Sequence, residues 1–515
     1  MPLLNDDFIQ TSHAGSLPRT PELIAANEAR EFADDGFTLV STREFEQQLA
    51  VAVDDVVARQ AAAGISQPND GEFGKAMTSA VDYGAWWSYS FQRVAGLTLT
   101  DENIFSQQPV RSSPGDVRLT SFPDRRDWVR FHDAYTDPTS GISTGSGATA
   151  FPSTTGPLRY VGHEQVASDA SNLRRALDAA GIADGFLTAL SPGSGARVAN
   201  HHYATDEEHV WAWAEVLREE YRAIIDAGLI LQIDDPSIAE NWDQISPEPS
   251  VEDYRAFTRI RVEALNHAIR GLPEDRIRFH LCWGSWHGPH TTDIELKHIV
   301  DLMLEINAGG YSFEAGNVRH EHEWTVWGDV VVPDGKVLIP GVVSHATNVV
   351  EHPDLVAQRI GRFAEAVGRE RVIASTDCGL GGRIHPQIAW AKLETLSEGA
   401  RRATQQLWRQ SAAAARGVRM QGARAPATTT YARGLTVSVR SRPAGAKRPT
   451  FRTAGRADRS RSRPRSRWPA AATHVSEGTP PRERRPSHPS PAGQVRREQR
   501  RRRARAAHPC RRGRG

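Results

Sequence analysis

The stretch RFHLCWGSWHGPH, residues 278–290, places His280 and Cys282 two positions apart at the end of an apolar-alternating run. On a strand, side chains at i and i+2 point to the same face, so an imidazole and a thiol would stand side by side. The chain has only three cysteines, too few for a disulfide framework, so each is either a buried bystander or part of some chemistry. The second, Cys378 in ASTDCGLGG, also closes a strand-like run, and the run between them ends in SFEAGN with Glu314. One imidazole, two thiolates and a carboxylate form a tetrahedral zinc set. Any one of these cysteines alone is more often a small hydrophobe than a ligand. Soft donors at separate strand ends make a metal the better reading of the group. A thiol with pKa about 8.5 is mostly protonated at neutral pH, whereas a zinc-bound thiol loses its proton. Two cysteinates and a carboxylate leave such a site electron-rich, which suits alkyl transfer to sulfur better than polarising a carbonyl.

Eight strand-like runs could carry these residues: DFIQTSHAGS, GISQPNDGEF, DGFLTALSPG, LILQIDDPS, RIRFHLCWG, GGYSFEAGN, KVLIPGVVS and RVIASTDCG. Amphipathic helical patterns separate them, among them DEEHVWAWAEVLREEYRAIIDAG and VEDYRAFTRIRVEALNHAIRG. Eight such units within residues 1–411 predict an α/β fold of the (βα)8 TIM-barrel type, with the active site at the carboxyl ends of the strands. A segment from about 76 to 182, rich in Pro, Gly, Ser and Trp, reads as an insertion after the second strand that shapes the substrate mouth; a purely structural excursion is the alternative.

The 515 residues are 39% hydrophobic, enough for a sizeable core. No run approaches a membrane span and the amino terminus lacks a secretion signal, so the expected address is the cytoplasm. The formal charge of +1 conceals segregation: from residue 412 onward there are 28 Lys and Arg against four acids, leaving the first 411 residues with 35 bases and 58 acids. The Arg-, Pro- and Ala-rich stretch 412–515 cannot bury enough apolar surface to fold and is expected to be disordered. It could bind nucleic acid through phosphates, or be a GC-rich frame translated past its end.

HAGSLPR, DGEFGK, LQIDDP, HLCWG, SFEAGN, PGVVSH and TDCGLGGR, in this order, resemble the catalytic barrel of cobalamin-independent methionine synthase, in particular its short relatives with this one barrel. The resemblance spans roughly residues 8–410. It implies a zinc ion held by His280, Cys282, Glu314 and Cys378, and a thiol substrate such as homocysteine held by Ser16, Glu72 and Asp234. It also implies His345 in VVSHATN as the catalytic histidine, the natural proton donor to a leaving group near pH 7. Asp234 reads as a rim carboxylate for a substrate ammonium rather than half of an acid/base couple with Asp235. RHEHEW, residues 319–324, could touch an anionic substrate tail but reads better as a solvated, salt-bridged loop; His287 and His290 follow the H-x-C strand closely enough to be metal ligands, yet four better-placed groups already fill a tetrahedron.

The implied activity is zinc-dependent methyl transfer to homocysteine, giving methionine. The same zinc–thiolate step serves relatives that join coenzyme M to an epoxide, or that take methyl groups from corrinoids, so the alkyl donor stays open. The full-length synthase has a second, amino-terminal barrel that no part of this sequence supplies. A non-enzyme alternative is a structural zinc with a nucleic-acid-binding tail. Against it, structural sites draw ligands from nearby C-x2-4-C loops rather than from separate strand ends.

Overall fold

The computed structural model describes residues 3–5, 7–77, 85–142, 150–284 and 286–422, with 410–422 described as backbone only. Among the described residues there are nine strands: β1 (Gln10–Thr11), β2 (Val94–Leu99), β3 (Pro152–Tyr160), β4 (Phe186–Leu190), β5 (Ile230–Asp234), β6 (Ile277–Leu281), β7 (Gly310–Glu314), β8 (Val337–Val343) and β9 (Ile373–Thr376). Seven of them form one parallel sheet in the order β1-β9-β8-β7-β6-β5-β4. All seven come from runs read as strands in the sequence. Every residue of β4 to β9 is buried, as expected when parallel strands are covered on both faces.

The sheet is curled. Phe186 of β4, Ile230 of β5, Val337 and Ile339 of β8 and Ile373 of β9 pack into one small apolar cluster, although β4 and β9 lie far apart in the strand order. Arg278 of β6 spans the interior, donating to Ser12 Oγ (2.8 Å) and the His13 carbonyl (2.9 Å) just past β1 while its guanidinium lies 4.1 Å from the Phe186 ring.

The expected second strand, GISQPNDGEF, is not one. The segment still hydrogen-bonds to both edges of the sheet: Ser66 and Gln67 donate to the Thr11 carbonyl (3.1 and 3.0 Å), and Phe186 N donates to the Pro68 carbonyl (3.1 Å). Its ladder is interrupted because Pro68 has no N–H and because Gln60 takes both backbone groups of Asn69, accepting from its N–H (3.0 Å) and donating to its carbonyl (2.7 Å). The described sheet is therefore a seven-stranded curled sheet, with an irregular segment where an eighth strand was expected.

Helices cover the outside, and their starts follow capping rules. Thr42, Thr205 and Ser250 each accept a bond from the third following N–H at the heads of Arg43–Ala62, Asp206–Asp226 and Val251–Ile269, with acids in each first turn. The helix His163–Ala180 packs on Arg43–Ala62 and Asp206–Asp226. It belongs to this outer layer, so the inserted segment ends near Tyr160 rather than at 182. The insertion consists of the helix Ala85–Arg93, the antiparallel β2–β3 pair and short helical turns.

The last helix, Pro386–Gly422, runs past the expected boundary at 411; SAAAARGVRM is rich in Ala and Arg, strong helix formers. Residues 423–515, which hold most of the expected disordered basic tail, lie outside the described residues. Among the described residues no helix is long and apolar enough to cross a membrane.

Candidate functional site

The thiols and the imidazole converge. One ligand atom from each of His280, Cys282 and Cys378, all three residues buried, lies within 4.8 Å of the others. His280 projects inward from β6 on the same face as Arg278, and Cys282 follows it by two residues; Cys378 follows the end of β9. In the register of β6 and β7, His280 faces Ser312, and its Nδ1 lies 2.9 Å from the Ser312 hydroxyl. That contact fixes the ring and leaves Nε2 buried without an oxygen or nitrogen partner, against the Cys378 thiol. An imidazole anchored through one nitrogen, with the other turned toward two sulfurs, suits a soft divalent ion such as zinc. The two thiols hydrogen-bond to each other, which pushes Cys282 up and, with His280, pulls Cys378 down.

Glu314 stands beside this group but outside it. Its Oε1 accepts from Trp283 N (2.9 Å) and its Oε2 from Asn317 Nδ2 (2.7 Å). Burial, together with Asp377 and Cys378, pushes its carboxyl up to about 8, against the opposing charge of His320. The structure thus brings three of the four expected ligands together and holds the fourth next to them on protein hydrogen bonds. Asp377 ties the two strand ends to each other, its Oδ1 accepting from Ala315 N (2.8 Å) and Gly316 N (2.7 Å). Only glycine fits at position 341 opposite, since a Cβ there would meet the Asp377 Cα at 2.4 Å.

Ser16, Glu72 and Asp234 line the same cavity of about 620 Å³ as the thiols and His280. Asp234 ends β5 and accepts from Gln232 Nε2 (2.7 Å); burial raises its carboxyl to about 6 despite His280 and Lys75. Glu72 sits in left-handed backbone (φ 60°). Its Oε1 accepts from Thr188 Oγ1 (2.7 Å) and pairs with Lys75 Nζ (3.3 Å). Burial pushes Glu72 up, but Lys75, Thr188 and Arg19 together hold it below the usual carboxylate value. Gly15 (φ 131°) makes room for it, since a Cβ would come within 2.5 Å of Glu72 Oε1. Ser16 accepts from Arg19 Nη1 (2.7 Å), and its carbonyl accepts from Leu380 and Gly381 beyond Cys378.

His345 is buried and is not among the residues that line the cavity. Its Nδ1 has no hydrogen-bond partner and its carbonyl accepts from His287 Nε2 (3.3 Å). Burial pushes its imidazolium pKa down to about 3, only partly offset by Cys378. The resting ring is therefore neutral at pH 7. Asp235, unlike Asp234, does not line the cavity; it is bonded to Ser194 Oγ (3.1 Å) and Ser237 N (3.0 Å).

The RHEHEW stretch is the expected solvated, salt-bridged loop only in part: Arg319, His322 and Trp324 are exposed and Glu321 pairs with Arg359 (2.8 Å), but two of its residues are drawn inside. His320 and Glu323 are buried, His320 bridges Asp293 (3.1 Å) and Glu323 (2.9 Å), and its ring stacks on Trp283 at 4.0 Å. His290 pairs with the same Asp293 (3.2 Å). These histidines form a charged buttress under the Trp283–Glu314 contact. Lys75, Thr188, Ser312 and Asp377 were not singled out from sequence. The signal available for Ser312 was its i−2 spacing from Glu314 on one strand face; Lys75 stood inside the DGEFGK motif. Nothing local marked Thr188.

No family model matches the chain. The methionine synthase of Thermococcus kodakarensis is 26% identical over 203 residues, covering 39% of this chain and 51% of that protein. The 2-hydroxypropyl-CoM lyase of Xanthobacter autotrophicus is 26% identical over 227 residues, covering 38% and 55%. The chain thus spans about half the length of the curated relatives it matches. Among solved structures, a B12-independent methionine synthase from Shewanella sp. W3-18-1, in complex with selenomethionine, superposes with a TM-score of 0.55 at 20% identity, covering 78% of this chain and 99% of that one. That likeness carries the fold. Motif order, sequence similarity and architecture agree, and the chain is a relative of the cobalamin-independent methionine synthases.

Proposed function

We propose that the protein is a zinc-dependent thiol alkyltransferase whose reaction is methyl transfer to homocysteine, giving methionine. The observation that carries this is the approach of His280, Cys282 and Cys378 within 4.8 Å, in a cavity that also holds Glu72 and Asp234. His280 Nε2, Cys282 Sγ and Cys378 Sγ would hold the ion, with Glu314 as the fourth protein donor. When bound, zinc makes an incoming thiol a thiolate at neutral pH.

The chain's own residues do the rest. Asp234 and Glu72 supply negative charge for a substrate ammonium, and Arg19, bonded to the Ser16 hydroxyl, gives a carboxylate a cation beside a hydroxyl. Holding both ends of the amino acid fixes the direction of its sulfur, the orientation that displacement at carbon needs. His345 would deliver the proton that the leaving group needs, and its buried neutral ring must gain that proton first. A thiolate at Cys378 favours this charging, because it opposes the burial that otherwise lowers the ring.

Equal identity to the 2-hydroxypropyl-CoM lyase supports a second reading, in which the same thiolate opens an epoxide. Incubating the purified full chain with homocysteine or coenzyme M against methylfolate, methylcobalamin and epoxypropane separates the two. Methionine is the expected product. Zinc-loaded protein that alkylates neither thiol would overturn both readings.

A further inference from the structure

Trp286 follows Cys282 by four residues and lines the same cavity. Its indole is held from several directions. Arg125 lies over the ring at 4.2 Å, and His290 packs on it at 4.4 Å between centroids. Two glycines make its seat: a Cβ on Gly284 would come within 1.9 Å of the indole, and one on Gly288 within 2.2 Å of Nε1. His290, which takes left-handed backbone without being glycine (φ 53°), meets the Trp286 carbonyl through Nε2 (3.1 Å). Backbone of that kind persists only where its surroundings enforce it.

The strap that begins here, residues 286–292, is tied to the insertion. Trp286 Nε1 donates to the Tyr135 hydroxyl (2.8 Å), which donates to Asp127 Oδ2 (2.9 Å). The other oxygen of Asp127 accepts from Thr291 N (3.0 Å) and Thr291 Oγ1 (2.9 Å), so one carboxylate gathers both ends of the strap. The two anchors differ in firmness. Asp127 is buried, and its N–H donates to Asp243 Oδ1 (2.9 Å), which also accepts from Thr292 Oγ1 (2.5 Å). Tyr135 sits on the five-residue helix His132–Thr136, none of whose residues is buried; its ring is fixed by a stack on Trp128 at 4.9 Å. Segments with little buried surface are the first to open. Loss of the Tyr135 hydroxyl would therefore free the Trp286 end of the strap and leave the Thr291 end in place. Cys282 and Cys378 are 7% and 8% exposed, which leaves little of either residue open to a reagent while the wall stands.

We propose that Tyr135 and Asp127 are positioning residues: they hold Trp286 as a shutter beside Cys282, and release of the Tyr135–Trp286 bond admits small molecules to the buried thiols. This goes beyond the thiol alkyltransferase reading and does not depend on it.

The test is the rate at which N-ethylmaleimide modifies the full chain, carried in a Cys510→Ser background so that Cys282 and Cys378 are the two thiols that react. The adducts are counted by mass on the protein as purified, with EDTA in the buffer, so that the outcome does not hang on a bound metal. Tyr135→Phe removes the hydroxyl and keeps the ring on Trp128. We expect it to react at least about threefold faster than the parent, within the range that the net loss of one hydrogen bond supplies. Trp286→Phe removes the partner N–H. In that background Tyr135→Phe should change the rate less than about threefold, because the bond it would break is already gone. An acceleration under threefold in Tyr135→Phe alone would overturn the proposal. So would threefold or more from Tyr135→Phe in the Trp286→Phe background, which is what a general loosening of the insertion produces. A chain that shows the expected pattern yet alkylates no thiol substrate would lose the proposed function and keep the shutter.

Discussion

Replacing Lys75 by methionine tests how the substrate end of the cavity is held. Lys75 Nζ donates to Thr188 Oγ1 (2.6 Å), lies 3.3 Å from Glu72 Oε1 and sits 4.4 Å from the Tyr89 ring centroid. Both charged side chains are buried, at 7% and 6% side-chain exposure. Removing one partner of a buried pair costs about 3–5 kcal/mol, because the other charge is left uncompensated. Glu72 would keep Thr188 and the nearby charge of Arg19, so the lower end, about 3 kcal/mol, is expected.

The pH dependence separates charge from packing. In the parent protein the Glu72 carboxyl is held below its usual value, so its contribution is present above the unfolded pKa of about 4.5 and is lost as pH falls through the lower folded value. In the variant burial is no longer opposed by Lys75, and the folded value rises above the usual one. Its cost is then absent below about pH 4.5 and grows by up to about 1.4 kcal/mol per pH unit as the pH rises toward the new folded value. Urea denaturation at pH 5 and pH 8 should therefore show a variant destabilised mainly at pH 8. An equal loss at both pH values would mean that only packing was removed, and would refute the charge argument. A loss under about 1 kcal/mol at pH 8, within the range of exposed ion pairs, would do the same.

Two other substitutions probe separate links. Arg125→Met removes the cation between Glu240 and Asp243, and should cost about 3 kcal/mol in denaturant unfolding. In the parent, Arg197 and Arg125 overcome burial to hold Glu240 at about 2, so its contribution is present above about pH 4.5 and lost as pH falls toward 2; the variant's acid unfolding, followed by circular dichroism, should begin at higher pH. His345→Asn should lower turnover at least a hundredfold while metal content and thiol affinity stay unchanged. Turnover within tenfold of the parent would remove His345 from the proton path.

Much of this architecture was legible because parallel strands are buried on both faces and read as short apolar runs closed by polar residues. RIRFHLCWG and RVIASTDCG are clear cases, and they delivered His280, Cys282 and Cys378 to one point. GISQPNDGEF had the same outline, but the backbone groups of Asn69 bond to the Gln60 side chain from the preceding helix, a tertiary contact with no local signature. The place of Glu314 was half legible. Its strand and end position were right, yet the bonds that turn its carboxylate toward Trp283 and Asn317 depend on loop geometry. His320 was misread because alternating charge normally marks a solvated face, and here Asp293, distant in sequence, buries it. The end of the insertion was misplaced because the periodic helix His163–Ala180 follows directly on the irregular segment.

The central claim is that His280, Cys282 and Cys378 together hold one zinc ion. Its most direct test is metal analysis of the purified chain and of the Cys282→Ser and Cys378→Ser variants, with folding checked by circular dichroism. About one zinc per parent chain is expected, by the stoichiometry of a single tetrahedral site, with loss of most of it in each folded variant. Folded variants that both stay loaded would contradict the claim.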